Sequence, residues 1–160
     1  MARGDEYLTR VVRLFCDHAE SPMWFGIGPL DYGEARLSES LETDMRAWEA
    51  VFYRENHPFR SESEGFAGWP SSEAAWAFTN DGLALAQRLA DELGTDFEVE
   101  ADRDPIGRKK VRLHSDSTPA NPDSAASFRD LAEQFAKELG VAKAASGSFM
   151  PLKHIDPDEK

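Results

Sequence analysis

Two short runs of the chain alternate apolar and charged residues with a period of two. In residues 97–102 the charged positions are all acidic, and in residues 108–114 one face is basic. A period of two is typical of a half-buried β-strand, and opposite charges facing each other across two antiparallel strands contribute about 0.2–1 kcal/mol per pair. The runs therefore predict a hairpin that turns at residues 104–107. The predicted pairs are Glu98 with Arg112, Glu100 with Lys110, and Asp102 with Arg108.

The spacing of apolar residues predicts three helices elsewhere. Apolar side chains at i, i+4, i+7 and i+11 form one stripe of a helix over residues 39–54, with Ser38 as its N-cap; these are Leu41, Met45, Trp48 and Phe52. A second stripe predicts a helix over residues 72–93 that Gly94 ends, and Gly82 inside it leaves a kink or a break open. A third helix is predicted over residues 124–139, before Gly140.

The remaining segments complete a prediction of fold class. Residues 8–16 are rich in β-branched and aromatic types and predict a strand, whereas residues 21–36 read as a Gly/Pro-rich loop in which a short strand at 23–25 is an open alternative. The sequence thus predicts an α+β fold, with a small antiparallel sheet of strands 8–16, 97–102 and 108–114 and three helices on one face. We expect one domain over residues 1–140. A mostly irregular tail is expected over residues 141–160, docking through Phe149 and Leu152.

Charge and cysteine content narrow the classes of function. The 160 residues include 18 Lys and Arg against 30 Asp and Glu, a formal net charge of −12. Such a surface repels nucleic acid and anionic lipid, so we expect neither as a partner and favour a basic protein. Cys16 is the single cysteine, which excludes an intramolecular disulfide and fits a reducing cytoplasm. The sequence also lacks an evident signal peptide or membrane span, so a cytoplasmic protein is expected.

No motif of a known enzyme class is visible, and we predict no catalytic residue, metal or cofactor. Cys16 and His18 are spaced like a nucleophile and its base, but a cysteine at the end of an apolar strand is far more often a core residue. Two His-x-Asp pairs offer two metal ligands each, and two ligands do not make a site; they are His114 with Asp116 and His154 with Asp156.

The candidate contact surface combines aromatic and acidic residues. Three aromatics stand in the polar, Gly/Pro-punctuated loop of residues 56–70: Phe59, Phe66 and Trp69. Aromatic side chains dominate the energy of many protein interfaces. Three acids around the end of the second helix have no predicted partner and are expected to be free: Asp91, Glu92 and Asp96. These six residues are the predicted partner-binding set.

Two segments carry a resemblance to known proteins. LSESLETDMRAWEAVF at residues 37–52 and DGLALAQRLADELGTDFEVE at residues 81–100 resemble an uncharacterised family of small acidic bacterial proteins. The shared pattern is a helix that begins Leu-Ser and holds a central Trp, then a Gly-containing helix that ends Leu-Gly before a strand. The matching positions are Leu37, Ser38, Trp48, Gly82, Leu93, Gly94 and Val99, with residues 22–24 upstream. The similarity covers residues 8–102 and carries no catalytic group. Some members resemble immunity proteins of toxin systems, and cytoplasmic location is implied.

The leading hypothesis is an acidic, immunity-type inhibitor that masks a basic protein. One alternative is a small enzyme or small-molecule-binding protein, which requires a cleft that gathers carboxylates and a histidine. Another is a structural homo-oligomer that buries the loop aromatics in a symmetric interface. The sequence leaves the partner and the oligomeric state open.

Overall fold

The computed structural model describes the backbone of residues 5–147 and the side chains of residues 6–140. The elements follow in the order α1 (Asp5–Thr9), β1 (Val11–Leu14), β2 (Met23–Phe25), β3 (Gly28–Pro29), α2 (Tyr32–Ala35), α3 (Glu39–Glu55), α4 (Ser72–Leu93), β4 (Glu98–Asp102), β5 (Lys110–His114) and α5 (Pro122–Gly147). The α+β class is as predicted. None of the described helices is both long enough and apolar enough to cross a membrane.

The sheet has five strands in the order β3-β2-β1-β4-β5, and one of its pairs is parallel. β1 runs parallel to β4, whereas the other neighbours are antiparallel. The prediction of a purely antiparallel sheet was wrong. A parallel neighbour needs a crossover connection, and here α3 and α4 lie between β1 and β4 in the chain, with α4 packed on β4.

The N-terminal strand is shorter than predicted. β1 covers Val11–Leu14, whereas Leu8 and Thr9 belong to α1. Tertiary contacts explain the difference, because α1 packs against α5 and the Tyr7 hydroxyl donates a hydrogen bond of 2.8 Å to Glu100. The short strand at Met23–Phe25 is present and pairs with β1.

The two central helices agree with their predicted bounds to within a residue. The Ser38 hydroxyl accepts the N–H of Leu41, as an N-cap does, and Gly94 ends α4 with a φ of 78°. Gly82 lies within a continuous helix, so neither the kink nor the break occurs. A Cβ at that position would approach the Trp48 ring to 2.7 Å, so the glycine provides room for the indole.

The β4–β5 hairpin forms with a register two residues from the predicted one. Glu98 faces His114, Glu100 faces Arg112, and Asp102 faces Lys110; the predicted pairing was wrong. The cause is a longer loop, in which the Asp104 carboxylate accepts backbone N–H groups of Ile106, Arg108 and Lys109. A shift of two residues keeps every side chain on its predicted face.

The last helix extends beyond both predicted ends, over Pro122–Gly147 instead of 124–139. Gly140 does not end it, because its neighbours VAKAA favour a helix and one glycine inside a helix costs only about 1 kcal/mol. Residues 141–147, predicted to be irregular, are therefore helical. Phe149 and Leu152 lie outside the described residues.

Candidate functional site

A cleft of about 510 Å³ opens where β1 and β4 end. Because the two strands are parallel, their carboxyl ends meet at the same edge of the sheet, an edge where α/β proteins often bind ligands. The end of α3, the start of α4 and the β4–β5 loop complete the walls. The residues that line it include Tyr7, Arg13, Phe15, Cys16, Glu100 and Asp102.

The inner wall of the cleft is a cluster of aromatic rings in contact with one another. Phe78 stands at its centre, with ring centroids 4.4 Å from Trp48 and 4.6 Å from Trp69. The Trp48 indole also donates a hydrogen bond of 2.9 Å to the Phe78 carbonyl, and this bond joins α3 to α4. Ring contacts and this hydrogen bond thus hold the wall together within the chain.

The loop between α3 and α4 is held in one shape by its own backbone. His57 donates to the carbonyl of Gly68 at 2.8 Å, and Phe66 and Trp69 exchange two hydrogen bonds of 2.8 Å. The Asn56 side chain adds a bond of 3.3 Å to the Ala67 carbonyl. This pinned loop, residues 56–71, forms part of the cleft wall, because the lining includes Asn56, Ala67 and Trp69.

The three predicted loop aromatics differ in exposure. Phe59 is 99% exposed, Phe66 is 37% exposed, and Trp69 is 3% exposed. Trp69 is therefore a core residue whose ring packs on Phe78, whereas the sequence placed it in the contact surface. Glu62 and Glu64 stand exposed on the same loop as Phe59.

The three predicted acids also separate. Asp91 and Asp96 are exposed, but Glu92 is 8% exposed and was wrongly expected to be free. Its carboxylate accepts the backbone N–H and the hydroxyl of Ser38, both at 2.8 Å, and the Asn121 amide at 2.8 Å. Glu92 thus ties the start of α3 to the start of α5.

The structure does not bring the predicted aromatics and acids together. Phe59 precedes the start of α4, and Asp91 stands in its last turn. At 1.5 Å per residue, the 22-residue helix separates its two ends by about 30 Å. The predicted set is therefore two surfaces at opposite ends of one helix.

The charged groups of the cleft are mostly engaged within the chain. Glu100 accepts the Tyr7 hydroxyl and lies 3.6 Å from Arg112, and Asp102 is paired with Lys110. Arg13 instead lies over two rings, with its guanidinium carbon 5.3 Å from the centroid of Tyr7 and 5.8 Å from that of Phe15.

The thiol in the cleft is not an activated nucleophile. Burial, with a smaller contribution from the charge of Glu49, raises the pKa of Cys16 far above its usual value, so the thiol stays protonated. His18 packs against Tyr53, with ring centroids 5.1 Å apart. The pair read from the sequence thus shows no nucleophile and base arrangement.

The described part of the chain contains no evident metal-binding site. No group of three or more metal-binding side chains occurs there. His114 and Asp116 do approach, with Nε2 and Oδ1 3.3 Å apart, but as an exposed pair. His154 and Asp156 lie outside the described residues.

Comparison with known proteins gives one match. The family model described as Serratia CdiI immunity protein-like matches residues 10–103, more than half of the chain. No curated protein and no solved structure matches the chain. The matched segment contains the pinned loop and most of the cleft, including Arg13 and Glu100.

Proposed function

The chain belongs to the Serratia CdiI immunity protein-like family, and on that premise we propose that it is an immunity protein that binds a protein toxin and inhibits it. The observation that carries the proposal is the family match over residues 10–103. An inhibitor of this kind needs a rigid, accessible contact surface more than it needs catalytic groups. The pinned loop beside the cleft fits that requirement.

Phe59 is the residue that best fits an anchor on this surface. An apolar ring that is 99% exposed has no packing role in its own chain. The hydrogen bonds at the base of its loop hold the backbone in place, so little conformational entropy is lost when a partner covers the ring. Buried aromatic anchors of this type often contribute about 2 kcal/mol or more to binding.

The charge of the chain supports a basic toxin as the partner. The formal net charge is −12, and Glu62 and Glu64 stand exposed on the same loop as Phe59. Attraction between opposite charges accelerates association and is screened by salt. The association rate with the toxin should therefore fall steeply as ionic strength rises, and a rate independent of salt contradicts this part of the proposal.

The first experiment identifies the toxin and tests protection. The tagged chain is used to capture proteins from a lysate of its source organism at low and moderate salt, and each captured protein is then produced alone in a laboratory host. We expect one of them to stop growth, and co-production of the chain to restore it. A captured set in which no protein is toxic, or toxicity that the chain does not relieve, contradicts the proposal.

A matched pair of variants then tests the contact surface. Phe59→Ala should weaken toxin binding by about 30-fold, as expected for an aromatic anchor. Ile27→Ala removes another exposed apolar side chain, 83% exposed in the turn between β2 and β3, and should leave affinity unchanged. Equal losses in the two variants argue against Phe59 as the anchor.

Binding of a small molecule is a second candidate, favoured by the volume of the cleft. About 510 Å³ falls within the range of about 300–1,000 Å³ that ligand pockets occupy. Its lining contains carboxylates but no histidine among the described residues. Screening of metabolites by thermal shift tests this candidate, and a stabilising metabolite that does not alter toxin binding favours it.

A further inference from the structure

Arg13 occupies a special position on the face of the sheet that the large helices do not cover. It is the exposed residue of β1, between Trp24 and Glu100 in the register. Its guanidinium lies over the rings of Tyr7 and Phe15, and the Phe15 ring is itself stacked on Trp24, with ring centroids 4.8 Å apart. The side chain is therefore supported by rings at the mouth of the cleft.

The other cations of the strands are already paired with carboxylates. Lys110 binds Asp102, and Arg112 lies 2.7 Å from Glu6. Arg13 differs, because among the side chains that the structure describes its contacts are the two rings and no carboxylate forms an ion pair with it. Its guanidinium N–H groups remain available to a ligand.

The carboxylates around the cleft have other partners in the structure. Glu100, its neighbour across the parallel strands, accepts the Tyr7 hydroxyl at 2.8 Å and faces Arg112. Asp102 holds Lys110, and Asp104 accepts three backbone N–H groups in its loop. Among the described side chains that line the cleft, Arg13 is thus a cation without a carboxylate partner, beside three carboxylates that have partners of their own.

We propose that Arg13 binds a carboxylate side chain that the toxin inserts into the cleft, a contact that rests on the proposed function. A guanidinium binds a carboxylate through two parallel hydrogen bonds, which fixes orientation as well as adding affinity. The acids on the loop of Phe59 then attract a basic surface of the toxin. The ion pair at Arg13 has the opposite polarity, with the cation on this chain, and fixes the relative position of the two proteins. This contact selects one toxin among others of similar charge.

The test measures toxin affinity for variants at Arg13 by calorimetry. Arg13→Ala should weaken binding by about 30-fold or more, and Arg13→Lys, which keeps the charge but loses the planar fork, should weaken it less. Arg129→Ala, on the exposed side of α5, removes the same charge and should leave affinity nearly unchanged. Circular dichroism checks that each variant is folded.

Exchanging the charges of the two proposed partners identifies the toxin carboxylate that Arg13 binds. Each Asp or Glu of the toxin is replaced in turn by Arg and tested against Arg13→Glu, whose own binding should be lost. Recovery by one toxin variant supports the proposed pair, and recovery by none contradicts it.

The outcomes separate the two proposals. Normal affinity of Arg13→Ala for a toxin that the wild-type chain neutralises overturns the Arg13 contact alone. Failure of the wild-type chain to neutralise any captured protein overturns the proposed function, and the Arg13 contact with it.

Discussion

The two ends of α4 differ in which kind of side chain is exposed and which is buried. Near one end an apolar ring is exposed, and at the other a carboxylate is buried. Before the start of α4, Phe59 stands in solvent on a loop held by backbone hydrogen bonds, beside a cleft in which Arg13 forms no ion pair with any side chain that the structure describes. At its end, Glu92 is buried and accepts three hydrogen bonds from Ser38 and Asn121. The first end is suited to binding and the second to stability. The exposed fraction and the hydrogen-bond partners of the side chains distinguish these two roles, whereas residue type alone does not.

The largest expected effect on stability is at the buried end. Glu92→Ala leaves the Ser38 N–H and hydroxyl without their acceptor and removes one of the two acceptors of the Asn121 amide, so it should lower the free energy of unfolding by about 3 kcal/mol. Asp91→Ala removes the same charge from an exposed neighbour and should change it by less than about 0.5 kcal/mol. Urea denaturation measures both, and equal effects would break the comparison.

The next effect lies in the aromatic wall of the cleft. Gly82→Ala places a Cβ 2.7 Å from the Trp48 ring, and overpacking of this kind costs about 1–3 kcal/mol. Gly140→Ala has open space around its Cβ and should stabilise α5 by up to about 1 kcal/mol. Thermal unfolding compares the two variants, and opposite signs are expected. A Gly82→Ala variant more stable than the wild type would show that the Trp48 ring can move aside for the added Cβ.

A smaller, pH-dependent effect comes from a second partly buried carboxylate. Burial raises the pKa of Glu49 above its ordinary 4.5, and the hydrogen bond from Tyr32 offsets only part of this. The folded state therefore binds this proton more tightly than the unfolded state. As pH rises from about 4.5 through the folded pKa, wild-type stability should fall relative to Glu49→Gln. Urea denaturation across this window tests it, and a constant difference would contradict it.

The smallest effect on stability is expected at Phe59. Because its ring is 99% exposed, Phe59→Ala should change the free energy of unfolding by less than about 0.5 kcal/mol while it weakens toxin binding. Urea denaturation beside the affinity measurement makes the contrast with Glu92→Ala direct. A clear loss of stability in Phe59→Ala would mean that the loop, too, belongs to the core.

The site was predictable only in part. Loop composition correctly placed Phe59 and Phe66 at the surface, but nothing local distinguishes Trp69, whose ring is covered by Phe78. Arg13 was missed, since its significance depends on a parallel neighbour far along the chain and on how the other charges pair. The cleft itself exists because that parallel pair brings two strand ends together.

The sequence by itself determined α3, α4 and the faces of β4 and β5, because apolar periodicity and caps act over a few neighbouring residues. Tertiary structure decided the parallel pairing of β1 with β4 and the burial of Glu92. Each of these depends on which distant groups satisfy a hydrogen bond or cover a side chain. Patterns of residue type are local and do not carry that information.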